Sequence, residues 1–185
     1  MSRHNLRLFL VIGSMFALTW IGSARPQAAT GRSADALVSD GVSRAHAEGK
    51  TVLIEFGASW CSWCKRFEAF VTGSEVGGIV RRNYVVVNLT VRERAGKTAL
   101  ETPGGDAFMH KWGGDEAGLP FYVFLDARGS KIADSNAMPD GTNIGFPGTE
   151  READAFMALL TRTAPRLQAT DRQQLIAYLK KSVQQ

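Results

Sequence analysis

The sequence is short of cysteine, of histidine and of long apolar runs, and each shortage removes a class of protein. Cys61 and Cys64 are the only cysteines in 185 residues, so a scaffold stapled by several disulfides is excluded. A structural zinc site needs four ligands. No second cysteine pair is present, and His46 and His110 stand far apart and read as surface or packing residues. The longest apolar run, Leu8 to Ile21, has fourteen residues interrupted by Gly13, Ser14 and Thr19, whereas a spanning helix needs about 20 apolar residues. An excess of one charge sign is also missing. The net charge is +4, and two of the positive charges, Arg3 and Arg7, lie in the first 24 residues, which hold no acid; the remainder carries +2. Such a chain lacks the basic footprint of a nucleic-acid-binding protein. What is present is ordinary globular composition, 44% hydrophobic and 22% charged, at a length that favours one domain.

The N-terminus reads as an address. Arg3, His4 and Arg7 precede the apolar run, and the small residues Gly22, Ser23 and Ala24 follow it. A basic start, a short apolar middle and a small-residue end are the three parts of a secretory signal. Residues 1–24 are therefore expected to be a signal peptide cleaved after Ala24, with an uncleaved membrane anchor as the competing reading. The polar residues 25–33 are expected to be a flexible segment. The mature protein is accordingly expected outside the cytoplasm, in a periplasm or the extracellular space, touching a membrane only through the N-terminal segment if that is retained.

Helical spacing of Leu37, Val38, Val42 and Ala45 predicts a helix over 34–49. Thr51 to Phe56 is β-branched and nearly all apolar, as a buried central strand requires. A helix is expected from about Cys61 through Val71, a short one over 74–82, and a second strong strand over 84–91. Arg92 to Gly105, with basic residues, Pro103 and glycines, reads as an exposed loop. Asp106 to Trp112 predicts a short helix, and Phe121 to Leu125 a third strand. After turn residues 126–129, Lys131 to Ala133 can return antiparallel. Helices are expected over 150–163, ended by Pro165, and from an N-cap at Thr170 or Asp171 through Leu179. The alternation implies an α/β fold with one sheet covered on both faces.

Two thiols separated by two residues, where a strand hands over to a helix, are poised for reversible disulfide formation. The start of a helix carries partial positive charge and unpaired N–H groups, which favour a thiolate at Cys61, the attacking species. Cys64, one turn further in and expected to be shielded, would act as the resolving thiol. A c-type haem site is excluded because Lys65 stands where histidine is required. A permanently oxidised structural disulfide stays open on the residues alone.

The stretch Ala58-Ser59-Trp60-Cys61-Ser62-Trp63-Cys64-Lys65 after its strand, and Gly118-Leu119-Pro120 before Phe121 to Leu125, resemble the active site of the thioredoxin-like superfamily. Among its members the closest likeness is to exported thioredoxin-domain proteins, which share an Asn-Ile-Gly-Phe-Pro loop like Asn143 to Pro147. The resemblance implies a thioredoxin-like fold over residues 34–164, with a mixed sheet of about four strands flanked by helices. Residues 165–185 would form an added C-terminal helix. It implies roles for further residues: Glu55 as proton acceptor and donor for Cys64, and Pro120, with a cis bond, presenting the Leu119 backbone to an extended substrate. Trp60 and Trp63 would line the substrate surface. Ser62-Trp63 in place of the usual Gly-Pro leaves the redox potential undetermined.

The expected activity is thiol–disulfide exchange with proteins that carry disulfides or thiols, mildly favouring reduction, with a membrane electron donor or acceptor. The cysteine pair carries the electrons, so no metal or organic cofactor is expected. The alternatives are a chaperone-like binding module on the same surface, and delivery of a metal through the two thiols.

Overall fold

The computed structural model describes residues 31–184. The expected signal peptide and residues 25–30 of the expected flexible segment lie outside them. At the centre stands β1 (Thr51–Gly57), buried at all its positions. β2 (Tyr84–Thr90) lies parallel to it, pairing Thr51 with Tyr84 and Gly57 with Thr90. β3 (Phe121–Leu125) pairs antiparallel on the other side, and β4 (Lys131–Asp134) follows antiparallel to β3. The order is β2-β1-β3-β4. A parallel pair needs a long crossover, which here carries α2 (Ser62–Thr72) and α3 (Gly77–Asn83).

Because strand side chains alternate, β1 splits its residues between two cores. Val52, Ile54 and Phe56 join Val85, Val87 and Val123 on the face covered by α1 (Ala34–Glu48) and α4 (Gly105–Lys111). Leu53, Tyr122 and Phe124 face α2, α3, α5 (Glu150–Thr163) and α6 (Ala169–Val183). Aromatic rings dominate the second core: Phe67 stacks on Tyr122 at 5.2 Å, and Phe70 meets Phe156 edge-on at 5.4 Å. The even alternation along β1 places Glu55 on this second face, under α2. Among the described residues no helix is long and apolar enough to cross a membrane.

Several boundaries differ from those read in the sequence. Cys61 is the cap of α2 and not its first residue. The short third helix begins at Gly77, after a turn over 74–76, because the chain there passes against α2; a Cβ on Gly77 would stand 2.6 Å from the Val71 carbonyl oxygen. α6 begins at Ala169, and neither Thr170 nor Asp171 caps it. Asp171 instead pairs with Arg82 of α3 at 2.9 Å, while Leu175 and Leu179 join the α5 core. The larger correction concerns residues 92–105. They do not form a simply exposed loop: Glu93 and Gly105 are buried, and Thr98–Leu100 makes a 3-10 turn. Arg92 adopts φ 53°, which ends β2 and turns the chain back so that the Thr102 N–H reaches the Thr90 carbonyl at 2.8 Å.

Candidate active site

β1 ends at Gly57, a tight turn follows, and α2 begins at Ser62. Within that turn the Cys61 N–H donates to the Ala58 carbonyl at 3.0 Å. Cys61 therefore sits at the cap position of α2, where its Sγ accepts the Cys64 N–H at 3.1 Å. An N-cap side chain that accepts a helix-start N–H occupies the positive end of the helix dipole, and no acidic residue stands in the first turn of α2 to cancel it. Cys61 and Cys64 are joined as a disulfide with their Cα atoms 5.3 Å apart. Exposure does not separate the two, at 4% and 7%; position does. Leu119 packs against Ala58 and both cysteines, whereas Cys64 borders a cleft on the other side of α2.

That cleft holds about 480 Å³ and is bordered by Glu55, Cys64, Glu68 and Glu93. Glu55 is 9% exposed, and among the described residues nothing donates a hydrogen bond to its carboxyl. Burial disfavours the charged form, and Glu68 adds like-charge repulsion, so its pKa is pushed up to about 8. A Cβ on Gly57 would overlap Glu55 Oε1 and touch the Cys64 Cβ at 3.4 Å. The carboxyl and the second cysteine thus flank one point of backbone, and glycine there keeps the space between them open. An acid that is neutral at pH 7 beside a disulfide sulfur can deliver a proton when that sulfur is expelled as thiolate.

The other expected site residues form the surface around the pair. The Leu119–Pro120 peptide bond is cis, and Asn143 clips this segment by donating from Nδ2 to the carbonyls of Gly118 (2.8 Å) and Pro120 (3.1 Å). Trp60 and Trp63 are 43% and 42% exposed. The Arg94 guanidinium lies 5.0 Å over the Trp60 ring and that of Arg66 4.8 Å over Trp63. Trp63, Leu119, Asn143 and Phe146 border a groove of about 600 Å³ beside the disulfide. Among the described residues no three His, Cys, Asp or Glu side chains come together to hold a metal ion.

Two contributors were not legible in the sequence. Glu93 receives the Ser59 N–H on Oε1 at 2.6 Å and the Ser59 hydroxyl on Oε2 at 2.8 Å. These bonds hold its carboxyl below the usual carboxylate range. Arg92 donates to the carbonyls of Ala117 (2.9 Å), Gly114 (3.2 Å) and Asp115 (2.8 Å), and its own carbonyl accepts the Trp60 indole N–H at 2.9 Å. Its left-handed backbone costs about 1 kcal/mol in a non-glycine residue. The one signal available beforehand was a charged pair directly after a strong strand, which as a pattern is too common to read.

No curated protein matches the chain. Among solved structures, a disulphide isomerase from Xylella fastidiosa Temecula1 is 14% identical, with a TM-score of 0.45, over 78% of this chain and 86% of that one. A structure described as DsbH oxidoreductase is 17% identical (TM-score 0.42; 83% and 94% of the two chains). The C-terminal domain of DsbD from Neisseria meningitidis, in its oxidised form, is 20% identical (TM-score 0.38; 56% and 83%). The family model described as thioredoxin-like matches residues 34–127. That stretch is about half of the chain and runs unbroken through α1, β1, the cysteine turn and β3. With that match and a Cys-x-x-Cys pair closed at the head of its second helix, the chain belongs to the thioredoxin-like family.

Proposed function

We propose that the protein exchanges disulfides with other proteins outside the cytoplasm, in the reducing direction. The observation that carries the exchange chemistry is the seat of Cys61 Sγ on the cap of α2, accepting the Cys64 N–H and bonded to the Cys64 sulfur. In the reduced protein the Cys61 thiolate attacks one sulfur of a client disulfide. A mixed disulfide forms and the client's other sulfur leaves as thiolate. Cys64 then loses its proton toward the Glu55 carboxylate and attacks Cys61 Sγ, which releases the client's second thiol and closes the disulfide. Two electrons pass to the client. An electron donor, most simply a membrane dithiol protein, reopens the pair; Cys64 leaves as thiolate and takes its proton from Glu55.

Client recognition is assigned to the groove beside Trp63 and to the Leu119 backbone before Pro120, where an extended segment can pair along its edge. Trp60, exposed directly before Cys61, offers a second apolar contact. The location rests on the three-part N-terminal address. The reducing direction rests on family analogy, because Ser62-Trp63 points to neither extreme of the range of potentials.

The test is trapping. Cys64→Ser is expected to accumulate covalent adducts with client proteins, reducible by dithiothreitol, and Cys61→Ser to give none. Adducts that persist without Cys61 would reverse the roles of the two thiols. Fractionation of cells producing the full chain tests export, with the expected product shortened by 24 residues and found outside the cytoplasm.

A further inference from the structure

The dipeptide Arg92-Glu93 lies far in sequence from both halves of the active site, yet it touches each. Glu93 ends on Ser59, two residues before Cys61, with one carboxylate oxygen on the amide and the other on the hydroxyl. Its own N–H is held by Glu101 Oε1 at 2.8 Å, so the carboxylate hangs from a backbone that is itself fixed. Arg92 ends on the three carbonyls of 114, 115 and 117, immediately before Leu119-Pro120, and Asp106 stands 3.6 Å from its Nε. The left-handed φ of 53° at Arg92 is what sends the two neighbouring side chains to opposite ends of the site.

We propose that Arg92 and Glu93 are positioning residues with separate duties: Glu93 sets the turn that seats Cys61 on the cap of α2, and Arg92 seats the segment that presents Leu119 to a client. Neither touches the reacting sulfur atoms. Glu93 does not act through its charge, since a carboxylate near Cys61 opposes thiolate formation. Its contribution is geometric: a Cys61 swung off the cap loses the N–H groups and dipole that favour the thiolate. The other charged groups around the pair are Lys65, Arg66 and Glu68 on α2, Glu55 on β1 and Arg94 beside Trp60. All are unchanged in the variants below. The inference rests on the reading of Cys61 as the attacking thiol.

The experiment compares reduced parent and variants by the pH profile of Cys61 alkylation with iodoacetamide, by turnover of insulin and of a small aromatic disulfide, and by amide hydrogen exchange at Ser59. Glu93→Ala is expected to slow alkylation at pH 7 by about threefold. Each tenfold fall in thiolate fraction is half-compensated by the greater nucleophilicity of a less acidic thiol. Glu93→Gln, which still accepts the Ser59 N–H but lacks the charge, is expected to match or exceed the parent rate. Should Glu93→Ala fail to fold, Glu93→Asp keeps the charge, falls short of Ser59 and is expected to show the same slowing. Arg92→Ala is expected to raise KM for insulin about tenfold while leaving kcat, alkylation and the small disulfide unchanged. Alkylation as fast in Glu93→Ala as in the parent, or equal losses on both disulfides in Arg92→Ala, would overturn the proposal. A parent Cys61 no more reactive than free cysteine would instead sink the exchange mechanism. In that case Ser59 decides the clamp: faster exchange in Glu93→Ala upholds it, and unchanged exchange refutes it.

Discussion

Replacing Glu55 by glutamine removes the one ionisable group of β1 and leaves its shape nearly intact. Glutamine mimics the protonated carboxyl, so the variant reports what ionisation costs the parent. With the folded pKa raised from 4.5 to about 8, the sign is fixed by proton binding. Below pH 4.5 the folded and unfolded chains both hold the proton and Glu55 imposes no cost. Between pH 4.5 and 8 the unfolded chain ionises while the folded chain keeps its proton, so stability falls as pH rises. Above 8 the loss is complete. At about 1.4 kcal/mol per pH unit over this interval, the parent is expected to lose about 4 kcal/mol relative to Glu55→Gln between pH 5 and pH 9. Water entering the cleft beside Glu55 makes that figure an upper bound. Urea unfolding of the two oxidised proteins across this range measures it, since groups common to both cancel in the difference. Parallel curves, or a parent that gains stability relative to the variant, would refute the placement of a buried, uncompensated carboxyl behind Cys64.

Glu55→Gln is also expected to slow the release of client from the mixed disulfide more than its formation, read by stopped-flow with a fluorescent peptide disulfide; equal effects on both steps would remove Glu55 from proton transfer. Gly57→Ala drives a methyl group into the Glu55 carboxyl and against Cys64, and is expected to destabilise the fold by about 1–3 kcal/mol, measured by denaturant midpoint. Gly41→Ala sets two effects against each other. Helix propensity gains about 1 kcal/mol, but the new Cβ stands 2.6 Å from Val87 Cγ2 of β2, and net destabilisation is expected in thermal melts. Tyr84→Phe removes the hydroxyl that bonds Thr163 Oγ1 at 2.8 Å and the Leu160 carbonyl at 3.2 Å, with an expected cost of about 1 kcal/mol by urea titration.

The readable elements were those whose burial is written locally. Thr51 to Phe56, Val85 to Val87 and Phe121 to Leu125 are near-continuous apolar runs, and only a strand covered on both faces tolerates them. The cysteine pair was readable because a strand-to-helix junction gives its two thiols a recognisable setting. Glu55 stood out for the opposite reason, an acid in an apolar strand. Residues 92–105 resisted because charged and glycine-rich loops look alike whether they face water or clamp a site; the active-site segments that the Arg92 and Glu93 side chains hold lie 22 to 34 positions away. The starts of α3 and α6 shifted for a similar reason. Val71 and Arg82, which decide those boundaries, belong to other elements.

The Asn143 amide fastens the chain between β4 and α5 to the backbone on either side of Leu119. The tip of that connection, Pro139 to Gly141, is exposed, and Gly141 supplies its left-handed turn. Anchorage and free tip are thus neighbours on one short excursion. Foreign sequence or a dye grafted at position 139 would hang beside the groove and leave in place Asp140, whose carboxylate accepts the N–H and hydroxyl of Thr142 at the groove's edge. A sensor built there would register a passing polypeptide in real time, with the sulfur chemistry left untouched.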